Sequence, residues 1–307
     1  MCHLLWGVVR AAARSPIGPA LLVVVAAVSQ EVGAAFAVGL FAALGATGAV
    51  FVRFLVAGVI LLAAVRPRVL GLSKSAWLSV AGLAASLTVM NLCFYYSLTR
   101  IPLGVAVTVE VLGPLTLSVV VSRRASAWLW AMLALAGIAL LSLTGVEVGY
   151  LDPVGLAFAA AAAVSWACYI LASARAASDF PNLDALAIAT VIGAALTAPA
   201  ALLVIDAAAV QWKIIGLGLT VGVMSSVVPY SLELISLRRL PPETFAILTC
   251  LSPVIAALAG WLILGQHLAV TGYVAIVLVT AASIGAVRSA SARQGRRASP
   301  PWAQASP

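Results

Sequence analysis

Long apolar runs separated by short polar breaks dominate the hydropathy pattern of the chain. Ten of these runs can cross a membrane, because the hydrocarbon core of a bilayer is about 30 Å thick and about 20 helical residues span it. The runs are continuous blocks of Leu, Val and Ala without the period-two alternation of a membrane β-barrel, so they predict helices. The predicted spans are 17–39, 48–66, 76–97, 102–122, 127–144, 152–173, 183–204, 213–236, 242–264 and 269–287.

Composition agrees with this pattern. Of the 307 residues, 64% are hydrophobic and only 8% are charged, and the mean hydropathy is +1.16. A soluble globular domain is about half apolar and about a quarter charged. We therefore expect an all-α polytopic membrane protein whose solvent is the lipid bilayer.

The distribution of basic residues predicts the orientation of the spans. If both termini are cytoplasmic, fourteen of the 17 Lys and Arg residues lie in inside segments. Only Arg100 and Lys213 lie in outside loops, and Arg53 lies within a span, which fits the positive-inside rule. We expect a protein of the plasma (inner) membrane with a cytoplasmic N-terminal segment, 1–16, and a disordered basic cytoplasmic tail, 288–307. The net charge of +8 then reports topology; no soluble basic domain is present to bind nucleic acid.

The chain also repeats itself. Residues 95–115 align without a gap to residues 234–254, at an offset of 139, with an arginine and two prolines in register. Each copy holds five spans, and because five is odd the second copy enters the membrane upside down. Such inverted repeats are a transporter architecture with the substrate path between the halves. The predicted repeats are 17–144 and 152–287.

The first half carries a layer of polar residues inside its spans. Counted along the helices, Glu31, Arg53, Asn91 and Glu110 lie about 8–12 Å below the outer ends of their spans, and Tyr95 is one turn from Asn91. Ionisable groups at this depth are costly and suggest function by default.

The second half has a matching layer. Trp166, Tyr169 and Tyr230 lie in the inner halves of spans six and eight, which inverted symmetry makes equivalent. Both layers together predict a central polar chamber. Glu233, next to an arginine pair in sequence, is interpreted instead as an interfacial acid.

Two roles remain open for Arg53. An ion pair with a glutamate would neutralise both groups and hold spans one, two and four in register, or the guanidinium would bind substrate directly. With two acids and one base in this layer, one carboxylate remains unpaired, and it can exchange a proton near neutrality or bind a substrate ammonium group. We favour Glu110 over Glu31, because a Gly113–Pro114 pair adjoins it.

The prolines within spans offer a second kind of site. Pro114 lacks the amide that would bond the carbonyl of Glu110, so that carbonyl can coordinate a donor. Pro253 is its counterpart in the second repeat. The alternative is a kink that only fits neighbouring helices, and Pro199 and Pro229 are interpreted in that way.

No catalytic, metal or cofactor site is predicted. The two histidines, His3 and His267, lie outside the spans, and the four cysteines are far apart. An intramembrane enzyme would need a nucleophile with a base, or a metal motif. A sensor would need a soluble output domain, and no loop is long enough for one.

Three stretches carry a family resemblance: "VRFLVAGVIL", "RIPLGVAVTVEVLGPL" and "SSVVPYSLELISLRRLPPETFAILTCLSPVIAALAGWLILGQ". They resemble the EamA-type repeats of the drug/metabolite transporter superfamily, and specifically the threonine/homoserine exporters, over about residues 20 to 287. The resemblance implies a ten-helix inner-membrane exporter of small amino acids and analogues. It also implies alternating access driven by proton exchange.

The chain departs from that pattern at three places. Ser252 stands where an acid usually precedes the span-nine proline, Gln266 replaces a common glutamate, and Glu31 stands where an amide is typical. These changes put the substrate and the coupling ion in doubt. The alternative is an exporter of the same fold with lipophilic or cationic substrates. The pattern is compatible with either a monomer or a homodimer.

Overall fold

The computed structural model describes residues 18–67, 69, 71–122, 129–130, 132–134, 136–137, 151–181, 183–205, 210–237 and 248–298. Its elements within these ranges are helices. They are α1 Gly18–Val38, α2 Phe41–Val65, α3 Lys74–Leu98, α4 Leu103–Glu110, α5 Leu112–Ser122, α6 Pro153–Asp179, α7 Asp184–Val204, α8 Trp212–Gly222, a π-helical segment Val223–Val227, α9 Val228–Leu237, α10 Ser252–Leu264 and α11 Val270–Ala298.

The helices match the predicted spans. Among the described residues, six stretches are long and apolar enough to cross a membrane: α1, α2, α3, the first 24 residues of α6, α7 and the run Trp212–Glu233. Shorter apolar helices occupy spans four, nine and ten. The prediction of an all-α membrane protein is confirmed, while most of span five, 127–144, lies outside the described residues.

The C-terminal end differs from the prediction. Disorder was expected from residue 288, but α11 continues as a helix to Ala298. Four arginines and several alanines and serines form this stretch, and Arg and Ala are good helix formers. The segment 1–16 and residues 299–307 lie outside the described part of the chain.

Helices of the first half pack mainly on helices of the second half. The most extensive pairings join α3 to α6 and α2 to α7. Helix α1 packs on α9 and α10, and α4 packs on α10 and α6. The core therefore lies between the two predicted repeats.

Span four and span nine are both interrupted. Helix α4 ends at Glu110 and α5 begins at Leu112, and α10 begins after a turn at residues 250–251. Residues 111 and 250 are 139 apart, the offset of the sequence repeat. In each span the interruption lies three residues before a proline, which has no amide to continue the helical hydrogen bonds.

Gly113 has a different role from the predicted helix break. It lies within α5, after the interruption, and a Cβ added to it would collide with the backbone carbonyl of Ala163 in α6. Likewise, a Cβ on Gly104 would come 2.8 Å from the Cα of Ala257 in α10. These two glycines let span four lie directly against two helices of the second half.

The pair α3 and α6 is fixed at both ends. At one end Arg100 Nη1 lies 2.8 Å from Asp152 Oδ2, and Asp152 Oδ1 accepts from the amide of Val154 to cap α6. At the other end Ser79 Oγ donates to Asp179 Oδ2 at 2.6 Å.

Gln266 also has a structural contact. Its Oε1 accepts from the amide of Leu103 at 3.0 Å and caps the N-terminus of α4. Gly265 ends α10 in the left-handed conformation with φ 64°, where glycine is favoured. The short loop after α10 is thereby tied to the start of span four.

We expect Gly113→Ala to lower the free energy of unfolding by about 1–3 kcal/mol, the usual range for overpacking. Thermal unfolding in detergent measures this. Gly82→Ala is the matched control, because a Cβ at Gly82 meets no atom within 4 Å and alanine favours helix. Equal loss in both variants would contradict the assigned close contact.

We expect Asp152→Asn to lower the melting temperature near neutral pH, while the helix cap is kept by the asparagine. The guanidinium of Arg100, which donates to Asp152, lowers the pKa of that carboxyl. A lowered folded-state pKa stabilises above the unfolded value, about 3.9, and the effect fades as pH falls through the folded value. The two melting curves should therefore converge below about pH 4, and a gap that persists there would contradict the ion pair.

Candidate functional site

Arg53 lies in the middle of α2 and is only 4% exposed. Its Nε donates to Ser226 Oγ at 2.9 Å, and its Nη2 donates to the carbonyl of Ser225 at 2.6 Å. Its Nη1 lies 3.5 Å from the hydroxyl of Tyr95. Neutral groups of α3 and of the π segment thus hold the guanidinium in the interior.

Two features leave carbonyls of the π segment free to accept hydrogen bonds from side chains of other helices. In this segment, Val223–Val227, the amide of Val228 bonds the carbonyl of Val223 instead of that of Met224. Pro229 has no amide, so it cannot bond the carbonyl of Ser225 four residues earlier. Side chains from the other half take both positions: Arg53 bonds the carbonyl of Ser225, and Ser29 Oγ donates to the carbonyl of Met224 at 2.8 Å.

Helix α1 lies directly against this segment. A Cβ at Gly33 would collide with Ser225 Oγ and come 3.0 Å from the Cβ of Met224. Ser29 and Gly33 are four residues apart and share one face of α1. That face is therefore fitted to the π segment by one hydrogen bond and one missing side chain.

Tyr95 forms the other wall around the guanidinium. It is fully buried, and the Arg53 Cζ lies 5.7 Å from the centre of its ring. The rings of Phe41 and Phe94 pack on Tyr95 with centroids 5.7 and 6.1 Å away. The tyrosine is thus locked by packing, and it supplies both a hydroxyl and a ring face to the cation.

Two buried acids lie near the guanidinium. Glu31 is 2% exposed and Glu110 is 9% exposed. Both are close enough to Arg53, and Glu31 is close enough to Glu110, to interact electrostatically. Among the described residues, however, Arg53 makes no ion pair within 4 Å with either acid, and Glu31 Oε2 has no hydrogen-bond partner. The ion-paired form of the predicted lock is therefore not formed in this structure.

Tyr230 extends the site into α9. It is 8% exposed and interacts electrostatically with Arg53, Tyr95, Glu110 and Glu233. We call Glu31, Arg53, Tyr95, Glu110 and Tyr230 the central cluster. Glu233 is half-buried and lies near Tyr169 and Tyr230, while the neighbouring arginine pair lies outside the described residues.

The remaining predicted residues are not members of the central cluster, although Tyr169 interacts electrostatically with Tyr230 and Glu233. Asn91 is buried, but its Nδ2 donates to the carbonyl of Leu87 in its own helix at 2.8 Å. Trp166 and Tyr169 are half-buried on α6. Pro114 lies in the first turn of α5, and Pro253 is buried in the first turn of α10. No three His, Cys, Asp or Glu side chains of the described residues gather as a metal site requires.

Sequence reasoning missed Ser29, Ser225 and Ser226. Pro229 was the available signal, because a proline inside a span frees a carbonyl four residues earlier. The same logic had been applied to Pro114. Interpreting Pro229 as a packing kink was wrong: the carbonyl that it leaves without an amide donor is the one that binds Arg53.

Comparison with known proteins identifies the family to which the chain belongs. Residues 153–288 match the model of the EamA-like transporter family. The threonine/homoserine exporter RhtA of Escherichia coli (strain K12) is 36% identical over 233 residues, which cover 76% of this chain and 79% of the exporter. The chain belongs to the EamA-like transporter family. RhtA of Salmonella typhimurium (strain LT2) is likewise 36% identical to the transporter over the same shares of both chains.

Similarity of structure extends over nearly the whole transporter. A protein of known crystal structure matches it with a TM-score of 0.62 over 91% of this chain and 99% of its own. Their sequences are 21% identical, so this likeness concerns the fold. Fold and family together make the transporter a multi-pass membrane protein that exports a small molecule.

We expect Ser226→Ala to lower the free energy of unfolding by about 1–3 kcal/mol, because it removes a hydrogen bond to a buried cation. Thermal unfolding in detergent measures the change. Ser225→Ala is the matched control, since its hydroxyl has no partner among the described residues and its carbonyl remains. A loss for Ser225→Ala as large as for Ser226→Ala would contradict the assigned contacts.

Proposed function

We propose that the transporter exports small amino acids of the threonine/homoserine type, or related metabolites, by proton-coupled alternating access. The observation that carries this proposal is a buried cluster of opposite charges that are not joined in an ion pair. Arg53 and Glu110 interact electrostatically, while the hydrogen bonds of Arg53 go to neutral groups. Both charges therefore remain able to meet a ligand.

The cluster suits the charged ends of an amino acid. A guanidinium has five N–H donors, and Arg53 uses three of them on protein groups. The remaining donors can bind a substrate carboxylate, for which the fork geometry of arginine is well adapted. Glu110 can bind the ammonium group. Two RhtA exporters, similar over most of their length, carry threonine and homoserine in their names.

Glu110 can also couple export to protons. A carboxylate that holds a proton cannot at the same time pair with an ammonium group, so proton and substrate exclude one another at this position. Entry of a proton from outside would release the substrate, and loss of the proton to the cytoplasm would reset the site. This exchange gives antiport with a single shared group.

Alternating access would arise from movement between the two predicted repeats. Glu31, Arg53 and Tyr95 are at most 4% exposed, so contact with a substrate requires an opening. The matched interruptions of spans four and nine support an inverted duplication with the site between its halves. The charge distribution supports cytoplasmic termini.

A second candidate, the export of lipophilic or organic cations, is favoured by one observation. Tyr230 interacts electrostatically with Glu110 and Tyr95, and aromatic rings together with a carboxylate are typical of cation sites. Competition for labelled threonine uptake into inside-out vesicles separates the two: amino acids compete under the first proposal, and organic cations compete under the second.

We expect Glu110→Gln to abolish transport driven by a pH gradient in proteoliposomes, because the amide cannot take up or release a proton. Homoserine exchange without a gradient should persist at a reduced rate, since the amide oxygen can still accept from an ammonium group.

Asp184→Asn serves as the control, because Asp184 is an acid at the start of α7, away from the cluster. Size-exclusion profiles and melting curves establish that both variants fold. Flux that still follows the pH gradient in Glu110→Gln, as in the wild type, would refute the coupling role.

A further inference from the structure

The central cluster does not balance in charge. It contains two carboxylates, Glu31 and Glu110, and one guanidinium, Arg53, while Tyr95 and Tyr230 are neutral in their ordinary form. With both acids ionised, its formal charge is −1. Glu233 is a further acid on α9 that interacts with Tyr169 and Tyr230; when ionised it adds negative charge, so it does not restore the balance.

Glu31 is the unused member of the cluster. It is 2% exposed, and its Oε2 has no hydrogen-bond partner among the described residues. Buried polar atoms are normally hydrogen-bonded, and an unpaired charge in the membrane interior is expensive. A lone carboxylate oxygen beside a transport site therefore indicates a missing donor.

A neutral amino acid does not supply that donor. Its carboxylate and ammonium groups would bind Arg53 and Glu110, and Glu31 Oε2 would remain without a hydrogen-bond donor. The two acids lie on different helices, α1 and α4, and both helices pack on α10. Two carboxylates held by separate helices can each bind one ammonium group.

We propose that the transporter selects small amino acids that carry a second ammonium group, and that Glu31 binds this group. The substrate class is the monocationic diamino acid, in which an ammonium replaces the side-chain hydroxyl of homoserine. The inference rests on the proposed function, because it assigns Arg53 and Glu110 to the two ends common to all amino acids. It adds that Glu31 determines selectivity by the charge of the side chain.

Isosteric ligands of different charge test this directly. Binding of 2,4-diaminobutyrate, homoserine and aspartate is measured by competition on purified protein in detergent at pH 7, where no membrane potential acts on the ligands. The wild type should bind 2,4-diaminobutyrate at least about tenfold more tightly than homoserine, which corresponds to one charge-assisted hydrogen bond. Aspartate should bind most weakly, because its side chain would face Glu31.

The variant Glu31→Gln should lose the preference, so that 2,4-diaminobutyrate and homoserine bind within about threefold of one another, since the amide offers no negative charge to a second ammonium group. Glu31→Asp keeps the charge and should keep the order of preference. If Glu31→Gln does not fold, the order of the three affinities in the wild type and in Glu31→Asp still tests the proposed role of Glu31.

Equal binding of homoserine and 2,4-diaminobutyrate by the wild type would overturn the inference, because Glu31 would then carry a proton instead of a ligand. An unchanged preference in Glu31→Gln would overturn it as well. Failure of all three ligands to bind would instead refute the proposed function, so the two failures are distinguishable.

Discussion

A permanent positive charge in the middle of a membrane protein is the constraint on which this structure depends. Arg53 remains ionised at every pH at which the protein is folded, and in the interior it must be surrounded by acceptors. The hydroxyl of Ser226, the carbonyl of Ser225 and the hydroxyl of Tyr95 meet this need. Because these acceptors are neutral, the nearby acids remain available for other partners.

The two halves contribute different chemistry to the site. The first half supplies most of its charge, through Glu31, Arg53 and Glu110, while the second supplies backbone carbonyls and hydroxyls at the π segment. Residues of α1 and α2 reach across to this segment. The two predicted repeats thus contribute unlike chemistry, which suits the proposed site for both ends of a zwitterion.

The sequence predicted those features that arise from side-chain chemistry along single helices. Apolar runs identified the spans, and Glu31, Arg53 and Glu110 stood out because charge inside a span is rare. The partners of Arg53 were not predicted, since they depend on a change in helical register over Val223–Val227, which no residue type requires. Gly113 was likewise explained only by the close approach of Ala163, a contact between positions 50 residues apart in the chain.

The π segment also makes the length of span eight part of the design. A π turn holds one residue more than the α-helical turn it replaces, so this segment adds a residue to span eight while Tyr230 and Glu233 keep their direction relative to α8. Each residue of an α-helix turns the chain by about 100°. If the same residues formed a regular α-helix, the side chains of Tyr230 and Glu233 would rotate by about that angle away from their neighbours, although neither residue would have changed. The neighbours of these two side chains consequently depend on the backbone conformation of a segment that precedes them in the chain.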